Sequence, residues 1–175
     1  MKLRDLVLPT VALIVLAVDQ ASKAWVTNNI PLNGSLDVLP GIRQWFVLTH
    51  ITNSGAAFGL FPQLSLVFTF VALGVSIIIV LYHRSLPAGE WLVRLSLGLQ
   101  LGGALGNLID RVRFGYVIDM FYVRFWPVFN VADSAIVAGV VLLMYHLMRS
   151  PNPTPAPAPA ESTEDQDAPD EAVRS

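Results

Sequence analysis

The sequence predicts an all-α membrane fold. Four transmembrane helices form a bundle, with a small β-sheet on one membrane face and an amphipathic segment lying at the interface. Three observations predict it. Of 175 residues, 54% are hydrophobic and 14% are charged, a balance outside the ordinary soluble range. Four apolar stretches approach the ~20 residues that a helix needs to span a bilayer. Two runs rich in aromatic and β-branched residues fall in the first and third connections, which by parity share one side of the membrane.

The first span covers about residues 6–26. A cleaved signal peptide is the alternative, but the stretch is long and ends in DQASK rather than a small-x-small cleavage site, so it is expected to be retained. The second, third and fourth spans cover about residues 64–83, 91–109 and 131–148. The turn at 84–90 is short and holds Pro87 and Gly89. The long loop at 27–63 carries the β-like run 42–52 and the amphipathic piece 56–61, which is placed at the interface as a cover. The loop at 111–130 carries the second β-like run, 116–125. Residues 1–150 form the membrane domain. Residues 151–175 alternate Pro with Ala and Thr, then turn acidic; with no aromatic residue they are expected to be a disordered tail.

Net charge is −2, with ten Lys/Arg and seven acids in residues 1–150 and one Arg and six acids beyond. No basic stripe of the kind that binds nucleic acid is present. Four basic residues flank each side of the membrane (Lys2, Arg4, Arg84 and Arg149 against Arg43, Arg111, Arg113 and Arg124), so the positive-inside rule gives no orientation. The absence of cysteine excludes disulfides, thiol nucleophiles and thiolate metal sites. His50, His83 and His146 form no HExxH frame, and no GxSxG frame occurs. Neither a metal nor another cofactor is expected; the chemistry must come from carboxylates, amides and arginine.

Such groups gather where they are expensive. Asp19 and Lys23 end the first span, Asn107, Asp110 and Arg111 the third; Asp119 lies in the following loop, and Asn130 and Asp133 open the fourth. A central Asp or Arg costs ~2.5–3.5 kcal/mol on insertion scales. Bland explanations exist for parts of the set. Asp19 and Lys23 have i, i+4 spacing and suit a helix ion pair. Asn130 and Asp133 have the spacing of a capping box. Gly98, Gly102 and Gly106 make a small-residue stripe for close helix packing. The stripe nevertheless leads to Asp110 at the same spacing, so these polar groups are expected to face the bundle interior.

Two neighbouring carboxylates cannot both ionise cheaply; one keeps a proton, and the pair can act as base and acid on a water molecule. Asp119 and Asp133 are the candidates, one leaving a β-like run, the other entering a helix. Asp133 meets the positive end of a helix dipole, which favours its charge, and Asp119, flanked by Ile118 and Met120, is the better placed to hold the proton, although the pair titrates as a unit.

DQASK (19–23), NSGAAF (53–58), GGALGNLIDR (102–111), VIDMF (117–121) and FNVADSAI (129–136) resemble, in order and spacing, the five signature boxes of bacterial lipoprotein signal peptidases, or signal peptidase II. The resemblance covers about residues 5–148. It implies a four-helix enzyme of the bacterial inner membrane with both termini cytoplasmic and an extracytoplasmic sheet and site. The implied substrate is a prolipoprotein already carrying diacylglycerol on its lipobox cysteine, cut just before that cysteine. Asp119 and Asp133 fall on the catalytic dyad. Asn53, Asn107, Arg111 and Asn130 fall on supporting or substrate-binding positions, and Asp19, Lys23 and Asp110 on the polar network. Met120 departs from the family's usual Phe. The expected partners are the prolipoprotein and membrane lipids, with the protein working as a monomer. A proton- or cation-coupled transporter and a non-enzymatic scaffold are the rival readings; the acids lie at one face and no inverted repeat is evident, which counts against transport.

Overall fold

The computed structural model describes residues 3–38, 41–55, 65–87 and 89–149. The expected interfacial piece at 56–61 and the tail at 151–175 lie outside the described residues. After a 3-10 turn at Leu3–Leu6, the helices are α1 (Val7–Asn29), α2 (Ser65–His83), α3 (Trp91–Phe114) and α4 (Val131–Arg149). All four are long and apolar enough to cross a membrane.

The helix that carries most polar groups lies in the middle. α3 packs against α1, α2 and α4. Within an 18-residue window 61% of α3 is buried, against 11% of α2, the most apolar of the four. That inversion fits a bilayer: lipid accepts the side chains of α2, such as Leu66, Phe70 and Ile78, each 65% exposed, whereas the polar groups of α3 need protein around them. Glycine makes the close packing possible. A Cβ on Gly102 would lie 2.7 Å from the Ala12 carbonyl oxygen of α1, and one on Gly103 would collide with the Ala132 carbonyl of α4. Leu8, Ala12, Ile79, Leu86, Val93, Leu97 and Leu101 fill the half of the bundle away from the sheet.

β1 (Ser35–Leu36), β2 (Phe46–Asn53) and β3 (Val117–Val123) form one antiparallel sheet in the order β1-β2-β3. The α1–α2 and α3–α4 connections therefore meet at one end of the bundle, as parity requires. β2 pairs Leu48 with Phe121 and Ile51 with Asp119, so it spends three steps where β3 spends two, a bulge. Val26, Ile30 and Met120 form a second small core, with Leu48 and Phe121 against it, that seats the sheet on the end of α1. Met120, at 1% exposure, fills this core without difficulty.

Two boundaries differ from the apolar pattern. α1 runs to Asn29 and α3 to Phe114, beyond residues 26 and 109. In α3 the extension keeps Asp110 and Arg111 helical; Gly115, at φ 82°, ends it with its N–H on the Arg111 carbonyl at 2.9 Å. β1 is an addition to the two runs predicted.

Candidate active site

The polar residues of the five motifs come together beneath the sheet. Lys23, 2% exposed on α1, is the hub. Its Nζ lies 2.8 Å from Asp19 Oδ2 and 2.8 Å from Asp110 Oδ2 and donates to Asn107 Oδ1 at 3.1 Å. The i, i+4 pair of Asp19 and Lys23 therefore exists, but it is part of a brace between helices. Asp19 also accepts the Ala132 N–H at 2.9 Å, satisfying the start of α4 from α1. Asp110 accepts the Ile118 N–H at 3.1 Å and so fixes the start of β3 to α3. An ion pair this deep is favourable only when its remaining hydrogen-bonding groups are satisfied, and here they are.

Two asparagines connect the hub to the candidate dyad. Asn107 Nδ2 donates to Asp133 Oδ1 at 2.8 Å. Asn130, fully buried, donates from Nδ2 to Asp119 Oδ1 at 2.8 Å and to Asn107 Oδ1 at 3.1 Å. The capping box is also real: Asp133 N–H donates to Asn130 Oδ1 at 2.9 Å and Asn130 N–H to Asp133 Oδ2 at 3.3 Å. Asn53, at the end of β2, donates to Asp119 Oδ2 at 2.9 Å. Each Asp119 oxygen thus faces an amide donor. Burial still pushes the Asp119 carboxyl up to about 7; the Asn53 hydrogen bond works against that rise and the Asp133 charge adds to it.

Arg111 joins the site without bonding either carboxylate directly. Its guanidinium stacks over Phe68 at 5.6 Å from the ring centre and donates to the Asn107 carbonyl at 3.5 Å. It is close enough to feel the charges of Asp133, Asp119 and Asp110. All nine expected residues therefore occupy one cluster. Sequence reasoning passed over Gln20, the second letter of DQASK, whose Nε2 reaches Asp110 Oδ1 at 3.0 Å, Asp19 Oδ2 at 3.2 Å and the Gly106 carbonyl at 3.3 Å. Its adjacency to Asp19 on a helix facing the Gly106 gap was the available signal.

The two aspartates open onto different spaces. Asp119 lines a cavity of about 390 Å³ with Ile51, Thr52, Asn53, Ser54, Trp126, Pro127 and Val128, under the sheet edge. Asp133 lines a groove of about 290 Å³ between α2, α3 and α4, with Asn107, Arg111 and otherwise mostly apolar side chains. Among the described residues no group of three or more His, Cys, Asp and Glu is placed to hold a metal ion.

Residues 11–149 match the model of the family described as signal peptidase (SPase) II. The chain belongs to the signal peptidase II family. Among curated members of the family, the lipoprotein signal peptidase of Moorella thermoacetica is 53% identical over 137 residues, spanning 78% of this chain and 89% of its own. That of Halothermothrix orenii is 44% identical over 138 residues, spanning 78% and 92%. Two solved structures of bacterial membrane enzymes, determined by the in meso method at 2.3 and 1.9 Å, superpose with TM-scores of 0.71 and 0.72. Their identities to this chain are 28% and 27%, over 79% and 81% of it and 85% and 92% of theirs. Family membership makes the chain a peptidase, and its four helices make it a multi-pass membrane protein.

Proposed function

We propose that this peptidase is an intramembrane aspartic endopeptidase that removes the signal peptide from diacylglyceryl-modified prolipoproteins, cutting just before the lipid-modified cysteine. The observation that carries the reading is the pair Asp119 and Asp133, joined through Asn130 and Asn107 and close enough for the Asp133 charge to act on Asp119, with a cavity beside the first and a largely apolar groove beside the second. A lipid-anchored substrate presents its scissile bond at that depth.

In this mechanism Asp119 enters protonated and Asp133 ionised. Asp133 takes a proton from a water as it attacks the scissile carbonyl carbon. Asp119 gives its proton to the carbonyl oxygen, forming a gem-diol. Asp133 then gives its proton to the amide nitrogen while Asp119 takes one back from a gem-diol hydroxyl, so the C–N bond breaks, a carboxylic acid and the new cysteine amine leave, and both carboxyl groups return to their starting states. Asn107 and Asn130 hold the two carboxylates in place throughout, so little reorganises during the reaction. Arg111 and Asn53, at the rims of the two spaces, fix the peptide backbone. Asp19, Lys23, Gln20 and Asp110 keep the ends of the helices in register beneath them. The site faces the outer side of a bacterial inner membrane, with both termini in the cytoplasm, and residues 151–175 form a tail outside the catalytic domain.

The test is to incubate the purified protein with a diacylglyceryl-modified precursor and with the same precursor bearing a free cysteine thiol. Shortening of the first and very poor cleavage of the second is expected. Equal cleavage of both overturns lipid selection and leaves only a general intramembrane protease.

A further inference from the structure

The groove that holds Asp133 runs along α3 away from the sheet, and one of its lining groups has no part in the network above. Gln100 lies seven residues before Asn107, which at 1.5 Å per residue puts it about 10 Å further along the helix. Its amide nitrogen is buried and has no hydrogen-bond partner among the described residues. Its stem lies against α4 at Gly139, where an added Cβ would come within 2.7 Å of Gln100 Cγ. Around it the groove is lined by apolar side chains, among them Val71, Val75, Ala104 and Ile136. A donor left without an acceptor at membrane depth is disfavoured.

We propose that Gln100 Nε2 donates a hydrogen bond to an ester carbonyl of the substrate's diacylglyceryl group, with that acyl chain laid along the groove between α2, α3 and α4. The inference rests on the reading of the chain as a peptidase of diacylglyceryl-modified precursors. The spacing supports it. From the scissile carbonyl carbon, through the cysteine sulfur and glycerol, to an ester carbonyl carbon is eight bonds, about 10 Å when extended. That matches the rise from Asn107, beside Asp133, to Gln100. The volume, about 290 Å³, accommodates part of an acyl chain. The terminal amide torsion of glutamine is soft, so its nitrogen can turn into the groove.

The test uses the full chain and two precursors that differ only in the lipid: one with ester-linked acyl chains, one with ether-linked alkyl chains of equal length, which lack the carbonyls. The native protein is expected to cleave the ester form with a kcat/KM about tenfold above the ether form. Gln100→Leu is expected to lower cleavage of the ester form about tenfold, through KM with kcat retained, and to leave the ether form unchanged. Equal cleavage of ester and ether by the native protein overturns the proposal even if the variant fails to fold. So does a Gln100→Leu loss that is the same for both substrates. If the native protein cleaves neither form, the enzyme reading itself falls, and the inference with it.

Discussion

Lys23 and Arg94 are both buried cations, each with a side chain 3% exposed, at opposite ends of the bundle. Lys23 is matched by carboxylates: Asp19 and Asp110 sit at 2.8 Å and are themselves almost fully buried. Arg94 is matched mainly by neutral groups. Its guanidinium donates to the Leu86 and Pro87 carbonyls at 3.0 and 3.3 Å and meets His83 Nδ1 at 3.2 Å; Asp5, 36% exposed, is 3.7 Å away. Arg94 thus caps the turn between α2 and α3, a structural task. Lys23 assembles charge around an asparagine that touches the candidate dyad. Burial of a cation is therefore no mark of a site by itself; the number and depth of the carboxylates around it separate the two cases.

The largest effect sharpens this contrast at the dyad. Asp119→Asn and Asp133→Asn should each lower turnover by ~10²–10⁴-fold or more, the range of general acid–base catalysis, with little change in thermal unfolding. Near-normal cleavage by either variant would remove the aspartic mechanism. Next comes the hub. Lys23→Met leaves Asp19 and Asp110 buried without their cation, and breaking such a pair costs ~3–5 kcal/mol, so both the unfolding temperature and cleavage should fall. Arg94→Gln keeps donors for the turn carbonyls and should cost ~1–3 kcal/mol with kcat retained. If Arg94→Gln abolished turnover in folded protein, the division between the two ends would be wrong.

A smaller effect concerns pH. Asp119 is held up to about 7 by burial. The mechanism needs its proton, so turnover should decline as pH rises through about 7. The pair titrates as a unit; a rate still rising above pH 8 would reverse the acid and base roles. The smallest effect is expected from truncation after Ser150, which should leave insertion and turnover unchanged in a vesicle assay; a large loss would place the tail in the machinery.

Much of this was legible in the chain because lipid imposes simple length rules. Four apolar stretches gave four helices, and the two β-like runs gave the two long strands. What apolar length misjudged was the end of α3. Asn107, Asp110 and Arg111 look like the end of a span by hydropathy, but buried partners keep them helical, and the left-handed Gly115 sets the stop. The polar cluster was expected to face inward, and it does. Its wiring was less accessible: Asp19 satisfies Ala132, 113 residues away, and no local spacing encodes that. Gln20 stayed unnoticed because a glutamine near a helix end is ordinary until Asp110 and Gly106 are seen facing it. Arg94 was passed over for the same reason, since its acceptors are backbone carbonyls with no residue identity to read. β1, two residues long, has too little pattern to announce itself.

The bulge in β2 gives the sheet one surplus residue, and where the surplus sits matters for how length can change. Thr49 and His50 occupy it, and each ties the strand elsewhere: Thr49 Oγ1 donates to the Gly34 carbonyl at 2.7 Å, and His50 Nδ1 meets the Ile30 carbonyl at 2.9 Å. Deleting one of them would let Leu48–Phe121 and Ile51–Asp119 persist in an uninterrupted ladder, with Asn53 still beside Asp119. Deleting a residue after Ile51 instead would turn Asn53 to the opposite face. Shortening beyond Ile51 therefore reaches the candidate dyad, whereas shortening at the bulge disturbs only the ties of Thr49 and His50 to β1, Gly34 and Ile30.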